Sequence, residues 1–314
     1  VFIPYITGKR IFALCMSSAD IAVRVFRKLE IEDLKVLQVI ETGMKKHEFV
    51  PQGQIARYAN IPPEKIGRDM SRIDKMGLIY RWQGSYVGYT LNYAGYDCLA
   101  INALVKAGAI KAFGKPLGVG KEADVYDALS PQGRCVAVKF HRLGRISFRQ
   151  TRRKRGYMPN HAGWLFQSRL AAEKEFQALT TVHKRGVAVP EPIVQNRHTI
   201  VMGMIEGAEL SKWKELQEPT EVLREILGNI KKAYLEAKVI HADLSEYNII
   251  LKSDMHVLII DWPQSVAVTH PNAVDLLTRD VKNVVDFFGR RFRLKISMEN
   301  AVSFALGKVE TLKF

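Results

Sequence analysis

The residues best suited to chemistry lie in His241-Ala242-Asp243-Leu244-Ser245-Glu246-Tyr247-Asn248 and in Ile259-Ile260-Asp261. An Asp, an Asn five residues on and a second Asp closing the next apolar run form a phosphoryl-transfer pattern. Asp243 would orient or deprotonate an attacking hydroxyl. Asn248 and Asp261 would hold magnesium on nucleotide phosphates. Ser245 lies where it could approach the γ-phosphate or the acceptor, whereas His241 reads as a prop for the loop and not as a base. The short motif alone arises by chance. Its setting is more specific, because β-like runs over 248–251 and 257–260 flank it, and the chemistry needs that strand-loop-strand frame.

A nucleotide also needs its phosphates covered and its base seated. Leu117-Gly118-Val119-Gly120-Lys121-Glu122-Ala123-Asp124-Val125-Tyr126 reads as strand, turn and strand, with glycines that let the backbone approach phosphate oxygens. It is not a Walker loop, since GxxxxGK[ST] is absent. Cys135-Val136-Ala137-Val138-Lys139-Phe140 is an apolar β run with one Lys inside it, and a buried Lys requires a partner. The helical stretch 167–179 offers Glu173 and Glu175, and kinases use such a pair to position the α/β-phosphates. The apolar strand Ile200-Val201-Met202-Gly203-Met204-Ile205-Glu206 stands where an adenine hinge belongs. Backbone groups of Gly203 and Ile205 would meet the base edge, with Met202 behind it. Between these elements Arg142, Arg145, Arg149, Arg152, Arg153, Lys154 and Arg155 put seven cations in fourteen residues without an acid. Such a block repels itself and is expected to be mobile until it covers nucleotide or meets RNA phosphates.

The elements ahead of this region form a separate module. Leu34, Leu37 and Ile40 mark one face of a helix over 33–41, and a short helix follows at 52–58. After the Asn60-Ile61-Pro62 turn, Pro63 opens a helix with Ile66, Met70, Ile73 and Met76 inward, and Gly77 stops it. Runs at 78–82 and 86–91 make a hairpin around Gln83-Gly84-Ser85. Helices, turn and hairpin together predict a winged helix-turn-helix. Lys65, Arg68, Arg72 and Lys75 form a basic stripe along its third helix, the face that would meet nucleic acid. A helix over 93–106 leads out of the module, and strands begin after about residue 110.

The 314 residues suit two domains, and 47% apolar with 25% charged residues describes a globular protein. No apolar run is long enough to span a bilayer, so no membrane partner is expected. The stretch Val1–Met16 is interrupted by Lys9 and Arg10 and lacks a signal-peptide core. Cys15, Cys98 and Cys135 are few and far apart, which predicts reduced thiols in the cytoplasm. The eight His residues have no zinc-ligand spacing. A net charge of +15 and a pI of about 9.7 favour a polyanionic partner such as nucleic acid or a ribonucleoprotein.

Taken together, the chain resembles the RIO family of atypical protein kinases, most closely the Rio2 branch in its archaeal form. The resemblance rests on Gly118-Val119-Gly120-Lys121-Glu122, Val138-Lys139-Phe140-His141-Arg142 and Leu143-Gly144-Arg145-Ile146-Ser147-Phe148. It rests also on Ser168-Arg169-Leu170-Ala171-Ala172-Glu173-Lys174-Glu175-Phe176, on Ile260-Asp261-Trp262-Pro263-Gln264-Ser265-Val266 with His270-Pro271-Asn272-Ala273, and on the winged helix placed in front. It implies an α+β chain. A winged helix-turn-helix (1–92), then a linker helix and connector (93–115), precede a compact bilobal protein-kinase-like RIO domain with lobes over 116–203 and 204–314. No activation loop or peptide-docking helices are expected, since only about fifty residues follow Asp261. Cofactors would be ATP and Mg2+ or Mn2+. Gly118, Gly120, Lys121, Glu122, Val125, Val138, Met202, Gly203, Met204, Ile205, Ser245 and Asn248 would surround the nucleotide, with Lys139 paired to Glu175 in preference to Glu173. Asp243, Lys139 and Asp261 would be catalytic, and Asp261 would carry a transient phosphate. Ala123 departs from the family's usual Ser, and Gly203 from the acid common at the hinge. The family's association with small-subunit maturation implies a pre-ribosomal particle or its rRNA as partner, and protein Ser/Thr acceptors that include the chain itself. Two rival readings stand beside it. One is an RNA-binding assembly ATPase with little protein phosphorylation. The other is a small-molecule kinase of the aminoglycoside or choline type, which shares the Ile-Asp-Trp run.

Overall fold

The structure is a computed structural model that describes residues 17–144 and 161–313, with the backbone alone at 161 and 162. Val1–Met16 with Cys15, and the basic residues Arg145, Arg149, Arg152, Arg153, Lys154 and Arg155, lie outside the described residues. Two compact units make up the chain. The first runs through Gln132 and adds Lys139–Arg169 and Asn196–Thr199; the second holds Gly133–Val138, Leu170–Gln195 and everything from Ile200.

The first unit begins with α1 (Ser18–Val25), which no periodicity had announced. Ser17 caps it by accepting from the Asp20 amide at 3.2 Å, and Asp20 accepts in return from the Ser17 amide at 3.0 Å. Then come α2 (Ile31–Gly43), β1 (Val50–Pro51), α3 (Gln52–Ala59), α4 (Pro63–Lys75), β2 (Ile79–Gln83) and β3 (Val87–Leu91). The sheet order β1-β3-β2 completes the winged helix-turn-helix. Ile66, Met70 and Ile73 are buried as their spacing required, while Met76 is only half-buried.

The helix expected as a linker, α5 (Tyr93–Lys106), is a core element. Nine of its residues are buried, and it packs on α1, α2 and β3. Asn92 caps it, accepting from the Gly95 amide at 3.0 Å. Gly95 is obligatory, since a Cβ there would meet the Leu78 carbonyl oxygen at 2.2 Å. Strands β4 (Ala112–Val119), β5 (Ala123–Leu129), β6 (Cys135–His141), β7 (Pro192–Asn196) and β8 (Thr199–Gly203) form a sheet of order β4-β5-β6-β8-β7. The helix expected over 167–179 is longer, and α6 spans His161–Lys184.

Arg142 is not part of a solvated basic loop. Its side chain is 1% exposed, donating to Asp97 on α5 at 2.8 Å and to Asp124 on β5 at 3.1 Å. His198 shares Asp97 at 2.6 Å, and burial pushes its pKa down to about 4. A neutral ring donating from Nε2 fits both facts, and its Nδ1 has no hydrogen-bond partner. The guanidinium also lies 5.1 Å from the Tyr93 ring centroid and 5.2 Å from that of Phe140.

In the second unit the core joins Leu223, Ile226 and Leu227 of α7 (Pro219–Lys232) to Leu277, Val281, Val284 and Phe288 of α8 (Ala273–Phe292). Ala301 and Ala305 let the short α9 (Met298–Ala305) settle on the same core. Two small sheets cover the other side. Strand β11 (Ile249–Leu251) lies between β12 (Val257–Ile259) and β9 (Ala208–Glu209), while β10 (Val239–Ile240) pairs with β13 (Val266–Ala267). A π-helical turn, Ala233–Ala237, ends α7 and delivers the chain to β10. Among the described residues no helix is long and apolar enough to cross a membrane.

Candidate active site

Antiparallel pairing of β11 with β12 opposes Ile249 to Ile259, which fixes the ends of two chemically equipped loops. Residues 241–248 enter β11 and Asp261 follows β12. The Ile260 amide donates to the Asn248 carbonyl at 2.9 Å, tying the two loops together at the residues that matter. The Asn248 side-chain amide donates to the Asp243 carbonyl at 2.9 Å. With its nitrogen so occupied, Asn248 presents its oxygen as the free ligand atom. Asp243 is exposed, while Ser245, Asn248 and Asp261 are half-buried. Two non-glycine residues here hold left-handed backbone, Ala242 at φ 63° and Asp261 at φ 69°. Such strain persists only where surrounding contacts over-determine it.

At Ala242 those contacts come from α8. Asp280, 1% exposed, accepts from the Ala242 amide at 2.7 Å and the Leu244 amide at 2.9 Å, one on each side of Asp243. Arg279 donates to the Ala242 carbonyl, and Asn283 donates to the Leu244 carbonyl at 2.9 Å. Burial pushes the Asp280 carboxyl up to about 6, against the two backbone bonds and Arg279, which pull it down. Sequence reasoning missed these three residues.

His241 is a prop, as its position suggested. Its Nε2 lies 2.9 Å from the Ile260 carbonyl, and its Nδ1 accepts from the Asp243 amide at 3.3 Å. Both nitrogens are committed in the neutral ring, and burial holds its pKa below the usual value. The ring packs 4.7 Å from that of Trp262, whose indole donates to the Ile259 carbonyl at 3.2 Å. Glu175, Asp243 and Asp261 all act on His241 electrostatically, so Glu175 on α6 stands near this loop. Glu175 is 1% exposed and Glu173 half-buried, so Glu175 has the greater need of a cation.

Also in the second unit, Met202 is buried at the end of β8, and Met204 and Ile205 are half-buried beyond it. The Gly203 amide donates to the Glu191 carbonyl at 2.9 Å, which narrows the backbone groups expected at the base edge to the carbonyl of that residue. Val138 is buried on β6.

In the first unit, Gly118 and Val119 oppose Val125 and Asp124 across a tight β4–β5 turn, closed by the Gly120 amide donating to the Ala123 carbonyl at 2.8 Å. Lys121 and Glu122 form its exposed tip. Lys139 is 8% exposed on β6, confirming the buried lysine that the apolar run implied.

The basic stripe on α4 needs a correction. Lys65, Arg68 and Lys75 are exposed, but Arg72 is bound to Glu30 at 2.6 Å and to the buried Asp33 at 2.7 Å. Arg72 holds α4 to the start of α2 and is not a free cation.

Oxygen ligands from Asn248 and Asp261 suit a magnesium site, which takes one or two protein oxygens and completes itself with phosphates and water. Among the described residues no cluster of three or more His, Cys, Asp or Glu could hold a metal ion.

Comparison with known proteins matches both parts of the chain. Residues 124–301 match the family model of the RIO domain, and residues 26–107 match that of the Rio2 N-terminal domain. The RIO-type serine/threonine-protein kinase Rio2 of Methanocaldococcus jannaschii is 44% identical over 252 residues, covering 78% of this chain and 92% of that protein. The serine/threonine-protein kinase rio2 of Schizosaccharomyces pombe is 36% identical over 284 residues, covering 90% and 82%. Among solved structures, a Rio2 kinase–ADP/Mg2+–phosphoaspartate complex from Chaetomium thermophilum superposes with a TM-score of 0.80 at 33% identity, covering 90% of this chain and 88% of that one.

Proposed function

The chain belongs to the RIO family of kinases, with a Rio2-type N-terminal domain ahead of the RIO domain, and on that premise we propose that it transfers the γ-phosphoryl group of Mg-ATP during maturation of the small ribosomal subunit. The observation that carries this reading is the bracing of Asp243, Asn248 and the loop to Asp261 as one frame. Asp243 orients the acceptor hydroxyl or water. Asn248 and Asp261 supply the oxygen ligands for Mg2+, which neutralises charge on the phosphates when bound. Lys139 positions the α/β-phosphates. Gly118, Gly120, Lys121 and Glu122 cover them, and the Met202–Ile205 segment seats the base. Little covalent help is needed, so positioning and electrostatics carry the rate. Asp261 as a transient phosphate carrier is part of the same proposal, supported by the phosphoaspartate in the C. thermophilum complex.

The deciding experiment compares ATP turnover of the parent and Asp243→Ala, with and without small-subunit particles. Asp243→Ala is expected to lower kcat by about 10²–10⁴-fold while nucleotide affinity persists. Equal turnover in the two proteins would refute the assignment.

A second reading, an assembly ATPase with little protein phosphorylation, has a specific observation behind it. Only residues 262–272 separate Asp261 from α8, too few for an extended peptide-binding activation segment. Slow hydrolysis with scant protein labelling would favour it.

Exposed Lys65, Arg68 and Lys75 are proposed to contact rRNA phosphates. Lys65→Ala and Arg68→Ala should each reduce the salt slope of rRNA-fragment binding by about one unit. Arg72→Ala should instead lower the melting temperature, because it leaves the buried Asp33 without its cation. Salt titrations and thermal melts of the three variants check this, and an unchanged slope in the first two removes the stripe from the interface.

A further inference from the structure

The Arg142 cluster does more than fill the core. Its backbone amide donates to the Glu122 carbonyl at 2.6 Å, so the same residue grips the tip of the β4–β5 turn from below. Its side chain grips Asp124, two residues further on, and is itself fixed by Asp97 on α5. A second tie lies on the same strand. Tyr126 donates to Asp20 of α1 at 2.6 Å and lies 3.0 Å from the Ser17 hydroxyl. The exposed, glycine-containing turn is thus anchored at Glu122, Asp124 and Tyr126 to helices of the winged-helix module.

We propose that Arg142 is a positioning residue for the nucleotide: it holds the β4–β5 turn over the phosphates by tying Glu122 and Asp124 to α5. The inference rests on the turn's assignment as the phosphate cover. Lys121 and the turn amides need a fixed spacing from the triphosphate, and a flexible turn would lose it. The buried cluster supplies that stiffness from a module that has no nucleotide chemistry of its own. A planar guanidinium is required, because it must reach two carboxylates in different directions at once.

Nucleotide affinity and stability together test it. Arg142→Ala leaves two carboxylates buried without a cation, a loss of stability that masks any effect on the turn, so it is not the informative variant. The informative one is the neutral triple variant Arg142→Met, Asp97→Asn, Asp124→Asn, which strands no charge and keeps side-chain volume. Mg-ATP affinity, KM and kcat, the melting temperature and hydrogen exchange at Gly118–Glu122 are measured on it, on Arg142→Lys and on the parent. In the triple variant KM for ATP is expected to rise about tenfold, kcat to change far less, and exchange at the turn to accelerate while melting stays near the parent's. Arg142→Lys keeps the charge without the fork and should recover only part of the affinity. A folded triple variant with parental KM and exchange overturns the proposal and leaves the phosphate-cover assignment intact. A parent that binds no Mg-ATP overturns the assignment, and this proposal with it.

Discussion

Asp261→Asn is expected to lower ATP turnover by about 10³-fold while leaving the fold intact. The substitution changes charge and almost nothing else. Asp261 sits at φ 69°, and Asn is among the few residues that adopt left-handed backbone readily. The half-buried site therefore keeps its strained conformation and loses its carboxylate. Without that charge the phosphates lose their metal anchor, so Mg2+-dependent nucleotide affinity should fall along with kcat. If Asp261 carries the phosphoryl group, hydroxylamine-labile label from γ-labelled ATP should vanish in the variant. Steady-state turnover, a nucleotide titration with and without Mg2+, and a melting curve are sufficient. Parental turnover in a folded variant would remove Asp261 from the mechanism.

Asp280→Asn should be nearly as damaging, although Asp280 has no contact with the reacting groups in the proposed mechanism. The carboxylate accepts two backbone amides, and Asn offers one acceptor and one donor. One amide of the loop then faces an N–H, a buried mismatch costing about 1–3 kcal/mol. The displaced residue is Asp243, and a misplacement of about 1 Å can cost about 10²-fold. We expect that loss in kcat, with KM for ATP little changed.

The pH dependence has a definite sign. Burial raises the folded pKa of Asp280 from its ordinary 3.8 to about 6, with Arg279 opposing the rise and Asp243 adding to it. A raised carboxyl pKa contributes stability that is full below about 4 and lost as pH climbs through about 6. Catalysis runs the other way, because the ionised carboxylate is the stronger acceptor for both amides. The kcat profile should therefore fall as pH drops below about 6, and Asp280→Asn should flatten that limb. An acid limb that survives the substitution assigns it to another group.

Local signals made much of this legible. The winged helix-turn-helix followed from helical spacing, the Asn60–Pro62 turn and the stop at Gly77, all expressed within a few residues. The 241–248 motif and the lone Lys139 were likewise visible, since a polar residue in an apolar run demands an explanation. What stayed hidden was long-range. Asp280 reaches backbone 36 and 38 residues away, and a side chain bonding to backbone leaves no spacing to read. Arg142 was grouped with its basic neighbours, whereas its acids lie 45 and 18 residues upstream. A signal did exist, for Asp97 stands in the apolar run Tyr96–Ile101 and needed a cation as plainly as Lys139 needed an acid. Arg72 was read from helical geometry alone, which orients a side chain but does not reveal what neighbouring helices offer it.

The shared ownership of Arg142 restricts how this protein can be recombined. A chimera that imported another winged-helix segment without an acid matching Asp97 would strand a guanidinium against Asp124 alone. A transplanted catalytic half without matching residues would in turn leave Asp97 buried without either Arg142 or His198. The two halves are therefore poor candidates for shuffling, and inheritance of either should drag the matching ionic residue of the other along with it.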